Sequence, residues 1–319
     1  MEPEAKPLDV LAIGEMVVDF ISDEKTDTLG NASTFRRYLG GSPANIEVYV
    51  SKLGGESAVI AKTGIGAFGR FLKSELQRHG VATEYLAMDH RTHTTVIFVS
   101  STSATPDFGE FRSGDYLLRP DEVSEEAISR TRVVHASTFA LSREPCRSAV
   151  LWAFRKAREM GKTVSLDPNY SRRVWPDQKE ARKVIEEAYR YVDLTKPSAD
   201  DARRVFGPDL DPEQYIQKFH DLGAQTVVFT MGEGGNLISE HGKTLVHVPA
   251  RPVEVIDATG AGDAFWAGFL TATLDGHPAE RSVLFAREIV ERKLGTKGPL
   301  PAEIDRAKIY QRLEDGQRG

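Results

Sequence analysis

Strand-like apolar runs alternate with amphipathic helix-like runs from about Leu8 to the end of this 319-residue chain. That alternation restricts the fold more than any other feature, because a strand followed by a helix rejoins its own sheet as a parallel neighbour. The expectation is an α/β fold with a central, mainly parallel sheet flanked by helices. No linker divides the chain, so residues 1–319 read as a single domain, long enough to bury a large core without staples.

The strand-like runs include VLAIGEMVVDF, SAVIAKTG, RVVHAST, TVSLDPN, VDLTKPS and QTVVFTMG. The helices are bounded more sharply. Ser42 reads as an N-cap and Pro43 as the first helical residue, with Ile46, Val50 and Leu53 on one face before Gly54-Gly55. A second helix is expected over about 68–79, with Phe68, Phe71, Leu72 and Leu76 turned inward. Others are expected over about 144–160, 177–191, 212–222 and 278–294. Two segments, about 15–39 and 92–118, break the alternation. Rich in β-branched and aromatic residues and without a helical period, they read as strands outside the main sheet, forming a small β cover.

The 40% hydrophobic and 28% charged content suits a soluble globular protein, and no run approaches the ~18–20 apolar residues that span a bilayer. No membrane partner is expected. The start, MEPEAKPLDV, lacks the basic-then-apolar order of a secretory signal, so a cytoplasmic location is expected. A net charge of −6 argues against a general nucleic-acid binder. Cys146 is the only cysteine, which rules out an intrachain disulfide and multi-cysteine metal sites; it reads as a small buried apolar residue.

Three glycine-rich stretches compete as ligand sites. GIGAFG, residues 64–69, fits the dinucleotide fingerprint on paper, with Asp89 about twenty residues further on. It belongs to the second strand–helix unit and Asp89 falls in a polar loop, so a tight connection is a better reading than a dehydrogenase site. GGSPAN, residues 40–45, lets backbone approach a ligand ahead of a helix, with Asn45 able to donate and accept from the first turn; the alternative is a turn followed by an exposed Asn. DATGAGDAFWAGF, residues 257–269, is the most informative. Gly260, Ala261 and Gly262 can turn several N–H groups toward an anion at a helix start, where the dipole adds about half a positive charge. Asp263 in that turn would repel a phosphate if anion binding were the only task, but it makes sense as a base beside a phosphoryl cradle. As a mere helix-start charge it would leave the glycines unexplained. Asp257 is expected to end the preceding strand, in a structural or cation-linked role. The P-loop, protein-kinase, zinc-protease and nucleophile-elbow motifs are absent.

Residues 40–55, GGSPANIEVYVSKLGG, and 257–270, DATGAGDAFWAGFL, resemble the N- and C-terminal signatures of the ribokinase-like (PfkB) family of sugar kinases. TGIGAFGRFL, DPNY, KPSADDA and VVFTMGEGGNLI match between them, and the resemblance runs from about Leu8 to Pro301. It implies a ribokinase-like fold whose β cover is a lid over the sugar, with ATP and Mg2+ as cofactors and a monosaccharide as acceptor. It also implies roles. Asp263 would be the general base, and the amides of Gly260, Ala261 and Gly262 the anion hole. Asp19, Gly41 and Asn45 would hold sugar hydroxyls. Thr230, Gly232 and Gly235 would lie along the nucleotide, with Lys196 and Ser198 near the phosphates and Asp201 as an indirect metal contact. A monovalent cation such as K+ near the anion hole is a further implication, as in some relatives.

Departures from the family bear on the substrate. Ser198 and Asp201 stand where members often carry Asn and Glu, and the serine resembles the fructokinase-like branch. Ser171 follows DPNY where an arginine is frequent, so an acid-sugar clamp is not expected there. Arg112 matches an arginine position of those branches and is a candidate sugar contact, with an exposed structural arginine as the alternative. FAREIVERKLGTKG is more charged than the small, apolar family stretch flanking the adenine. The expectation is an ATP-dependent kinase acting on a primary hydroxyl of a free monosaccharide, fructose first. Kinases of 2-keto-3-deoxygluconate, 5-dehydro-2-deoxygluconate or ribose are the alternatives within the class, and a non-catalytic sugar or nucleotide sensor the alternative outside it. Exposed edges on the lid suggest a homodimer.

Overall fold

In a computed structural model, which describes residues 6–102, 107–175, 177–296, 300 and 304–315, the first apolar run is two strands, the second of them in the segment expected outside the main sheet. β1 (Leu8–Ile13) enters the main sheet. The chain then leaves through Gly14–Met16, and β2 (Val17–Lys25) joins a separate sheet. Met16 and Val18 remain buried across this break, packing against Ala44, Val48 and Val59.

The expected alternation follows: β3 (Phe35–Gly40), α1 (Ser42–Lys52), β4 (Ser57–Gly64), α2 (Ala67–Arg78), β5 (Leu86–Asp89), β6 (Val96–Ser101), β7 (Phe108–Phe111), α3 (Glu125–Arg130), β8 (Thr131–Ser137) and α4 (Cys146–Glu159). Then come β9 (Thr163–Asp167), α5 (Gln178–Tyr189), β10 (Leu194–Thr195), α6 (Ala199–Phe206), α7 (Pro212–Leu222), β11 (Thr226–Thr230), β12 (Asn236–Glu240), β13 (Thr244–Val248), α8 (Ala261–Leu274), α9 (Ala279–Leu294) and α10 (Arg306–Asp315).

Nine strands form the main sheet in the order β13-β12-β11-β10-β9-β8-β1-β4-β5. From β11 to β5 all pairings are parallel, and β12 and β13 add an antiparallel edge. The connections change direction at β1, between β8 and β4, and the crevice beyond the carboxyl ends of strands at such a point is where open α/β sheets take ligands. One face of the sheet is covered by α3 to α7, with Leu11 and Ile13 in that core; α1, α8, α9 and α10 cover the other, with Val10. Cys146 is buried in the first of these cores, as expected.

Helix α8 is apolar all round, as a helix enclosed between sheet and neighbours must be. Residues 264–272 are buried, and the Trp266 and Phe269 rings stack at 4.7 Å. Burying each such aromatic contributes roughly 1.5–3 kcal/mol, so the helix is anchored from Ala264 to Ala272 while its first turn is left accessible.

The second sheet, β3-β2-β6-β7, is the expected cover. Strand alternation puts Asp19, Ile97 and Glu110 on one face and Phe20, Phe98 and Phe111 on the other. Phe20 and Phe98 stack at 5.1 Å. Phe68 of α2, expected inward, is 37% exposed and meets Phe20 edge-on instead. Residues 103–106 of the expected lid segment, the first five of the N-terminal stretch and the last two of the GTKG stretch, 297 and 298, lie outside the described residues. Among those described, no helix is long and apolar enough to cross a membrane.

Candidate active site

Helix α8 starts without a side-chain cap. Its N-cap, Gly260, has φ +72°, a left-handed conformation in which a side chain would be strained. The turn leaves the N–H groups of Gly260, Gly262 and Asp263 without a protein acceptor among the described residues, whereas the Ala261 N–H donates to the Ala258 carbonyl at 3.1 Å. Of the three amides expected to form the hole, Ala261's is therefore already engaged. That of Asp263 stands free in its place.

The Asp263 carboxylate is held from across the crevice. Ser42 Oγ donates to Oδ1 at 2.7 Å and Asn45 Nδ2 to Oδ2 at 2.9 Å. Both belong to the first turn of α1, which begins at Ser42; the N-cap is Gly41, with φ +95°, and the expectation of Ser42 as cap is corrected. A methyl on Gly41 would come within 2.5 Å of the Glu15 carbonyl, so Ser42 is delivered to the crevice by a turn only glycine fits. Burial raises the pKa of Asp263 above the ordinary carboxylate value, opposed by the Ser42 and Asn45 hydrogen bonds and by the charge of Lys196. The result is an oriented carboxylate whose proton affinity is raised.

Asp19, on β2, projects into the same crevice. A Cβ on Gly40 would lie 2.1 Å from its Oδ2, and it has no hydrogen-bond or ion-pair partner among the described residues. Burial, then the negative charge of Asp263, pushes its pKa up to about 7. Lys196 follows β10, with Nζ 3.0 Å from Asp167 Oδ2 at the end of β9 and 3.4 Å from where a Cβ on Gly262 would stand. Burial works against the Lys196 charge, but Asp167, Asp201 and Asp263 outweigh it and raise its pKa. The ammonium sits directly beneath the start of α8. Thr230 ends β11 and its N–H donates to the Pro197 carbonyl at 2.9 Å, so the Lys196–Ser198 and Thr230–Gly235 segments are neighbours, with Gly232 and Gly235 in the turn after β11.

Other expected contacts are engaged elsewhere. The Arg112 side chain is 2% exposed, ion-paired with Asp115 at 2.6 Å, bonded to Ser142 Oγ at 2.7 Å and laid over the Phe139 ring. It is not the exposed structural arginine given as the alternative, because a buried guanidinium needs such partners. Asp201 closes a capping box on α6: its Oδ2 accepts from the Ser198 N–H and Oγ, and Oδ1 from the Tyr170 N–H at 3.0 Å. Both of its oxygens therefore already accept hydrogen bonds within the protein. Asp89 ends β5 and is paired with Arg91 at 2.9 Å, which removes the dinucleotide reading along with the expectation of a loop. Asp257 ends no strand; it lies in an irregular segment against Lys293, whose pKa burial lowers and Asp257 supports.

Four residues of the crevice and its rim were given no part in the site from sequence: Ser42, read only as a cap, Glu15, Asp167 and Lys293. Asp167 lay within the DPNY match, which was its only signal. Glu15 is buried beside Ser137, whose Oγ donates to it at 2.7 Å, and burial pushes its pKa up to about 8. A cavity of about 720 Å³, lined by Phe68, His93, Thr94, Val96 and Phe111 among others, is distinct from the crevice: Val96 and Phe111 share the lid face opposite Asp19. Among the described residues no three acidic, His or Cys side chains form a metal cluster.

The family model for pfkB family carbohydrate kinases matches residues 8–301. The ATP-dependent 6-phosphofructokinase of Thermoanaerobacterium thermosaccharolyticum is 36% identical over 296 residues, 92% of this chain and 90% of that protein. The structure of Halothermothrix orenii fructokinase covers 91% of this chain and 99% of its own, at 38% identity and a TM-score of 0.78. A Vibrio cholerae fructokinase double mutant, in a form with fructose, ADP and potassium ion bound, is 26% identical, with a TM-score of 0.83 and 97% and 99% covered. Matched along nearly its whole length by the family model and by relatives above 30% identity, the chain belongs to the pfkB family of carbohydrate kinases.

Proposed function

We propose that this ATP-dependent sugar kinase transfers the γ-phosphoryl group to a primary hydroxyl of free fructose, with Asp263 as the base. One observation carries the reading: Asp263 has both oxygens oriented by Ser42 and Asn45 at the helix start where neighbouring amides lack acceptors. Asp263 takes the hydroxyl proton as the oxygen attacks phosphorus in line. The Gly260, Gly262 and Asp263 amides and the Lys196 ammonium then meet charge on the transferring group. Magnesium bound to ATP supplies further charge neutralisation. Asp19, Gly41 and the Asn45 amide oxygen face the sugar, and Thr230, Gly232 and Gly235 line the nucleotide side. For potassium the residues point elsewhere, because the segment entering the helix start already carries the Lys293 ammonium.

A second reading, fructose 6-phosphate as acceptor, is favoured by the 6-phosphofructokinase relative. The lid face opposes it: Asp19 and Glu110 flank Ile97 there, a poor setting for a phosphate. Steady-state rates with fructose, fructose 6-phosphate, ribose and 2-keto-3-deoxygluconate test both. Fructose should give the highest kcat/KM; a higher value for any phosphorylated or acidic sugar rejects the assignment. The proposal includes a homodimer joined through the lid, whose outer strands β3 and β7 are sheet edges and whose Phe111 is 65% exposed.

A further inference from the structure

Lys293 lies in the last turn of α9, and its side chain is 1% exposed. Its Nζ is 3.1 Å from the Asp257 carbonyl oxygen, 3.3 Å from Asp257 Oδ2 and 3.5 Å from the Thr296 carbonyl oxygen. A buried single charge enclosed by carbonyl and carboxylate oxygens has the ligand chemistry of a hard cation. The helix end contributes too, since the negative end of the α9 dipole favours a cation at that place. The N–H groups of Ile256 and Asp257 donate to the Leu294 carbonyl at 2.8 and 3.3 Å, pinning the same segment to the same helix end. From there the chain runs straight into the hole: Asp257 Oδ1 takes the Thr259 N–H at 2.9 Å, and Gly260 follows. The ammonium therefore fixes the backbone that aims the free amides.

Family resemblance implied a monovalent cation near this hole, yet the oxygens of Asp257 and Thr296 are already gathered around an ammonium. We propose that Lys293 is a built-in substitute for a bound monovalent cation, so that this kinase turns over at full rate without potassium. An ammonium and a potassium ion carry the same charge, and the oxygens that accept hydrogen bonds from the one can ligate the other. The charged character of FAREIVERKLGTKG, foreign to the family pattern, has a physical reason at one of its positions.

The inference rests on the kinase reading, and the test separates the two. Turnover and melting temperature are measured in potassium chloride and in choline chloride at equal ionic strength, for the wild-type chain, Lys293→Ala and Lys293→Met. The wild type should give the same rate and the same melting temperature in both salts. Lys293→Ala, which removes the ammonium and opens its space, should lose about tenfold or more in kcat in choline and recover in potassium, with a rise in melting temperature. Lys293→Met, which fills the space without charge, should fall and stay low in both. Severalfold activation of the wild type by potassium, or a wild-type rate for Lys293→Ala in choline, overturns the proposal. Should a variant fail to fold, the wild-type comparison decides alone. A protein that phosphorylates no sugar in either salt removes the kinase reading instead, and the salt dependence of melting still decides the cation.

Discussion

Two carboxylates share the crevice at the start of α8, and their partners set them apart. Asp263 has both oxygens hydrogen-bonded into a fixed orientation, whereas Asp19 has no partner within the described protein and is open to a ligand. Asp263→Asn should lower kcat by about 10²–10⁴-fold, the usual worth of a general base, while calorimetry finds sugar binding nearly unchanged; near-normal turnover would remove Asp263 from the mechanism. For Asp19, with a pKa of about 7, the ionised form is the one able to accept hydroxyl protons. The sugar KM should therefore fall as pH rises through about 7, and Asp19→Asn should flatten that profile. Stability runs the other way. A folded pKa above the unfolded value of about 3.9 gives a contribution that is full below that value and lost as pH rises through about 7. Asp19→Asn should thus raise the melting temperature above neutrality, by on the order of 2–4 °C, and not in acid. An equal gain in acid would contradict the assigned shift. Asp263 and its glycines were legible because they lie in one short motif. Ser42 was not: a serine before a proline has the appearance of a cap, and its partner is 221 residues away.

Helix starts carry most of the chemistry, and each uses its first turn differently. α8 and α1 have glycine N-caps and direct side chains or free amides into the crevice, whereas α6 satisfies its own donors with the Ser198–Asp201 box. Asp201→Asn should cost about 1 kcal/mol, read as a lower melting temperature, with the magnesium dependence of the rate unchanged. A shifted magnesium requirement at unchanged stability would return Asp201 to the metal. The S-x-x-D spacing of a cap was visible in KPSADDA, but a sequence match to a metal-linked segment hides a capping role, since both need a carboxylate at the same position. Arg112 illustrates the complementary limit. Its buried partner Asp115 is only three residues away, but nothing in the spacing reveals that the pair is enclosed.

At the scale of the molecule, alternation was enough to anticipate a parallel sheet covered on both faces, because each strand–helix unit has few ways to return. The order of nine strands was not legible, since it depends on which neighbour each unit meets in space. The departure near Gly14–Met16 was legible, because the alternation breaks at about residue 15. Sedimentation should find a dimer, in keeping with open lid edges and the exposed Phe111; a monomer at every concentration would leave the lid to shield its own edges. The lid also has the proportions of a lever. Asp19 is three residues beyond Met16 and Lys25 is nine, so at about 3.3 Å per residue they stand roughly 10 and 30 Å from the pivot. Any swing carries the tip about three times as far as Asp19. If Asp19 meets the sugar as proposed, selection lies where the arm barely travels, so changes near the tip should alter how fast the product escapes without altering which sugar is accepted.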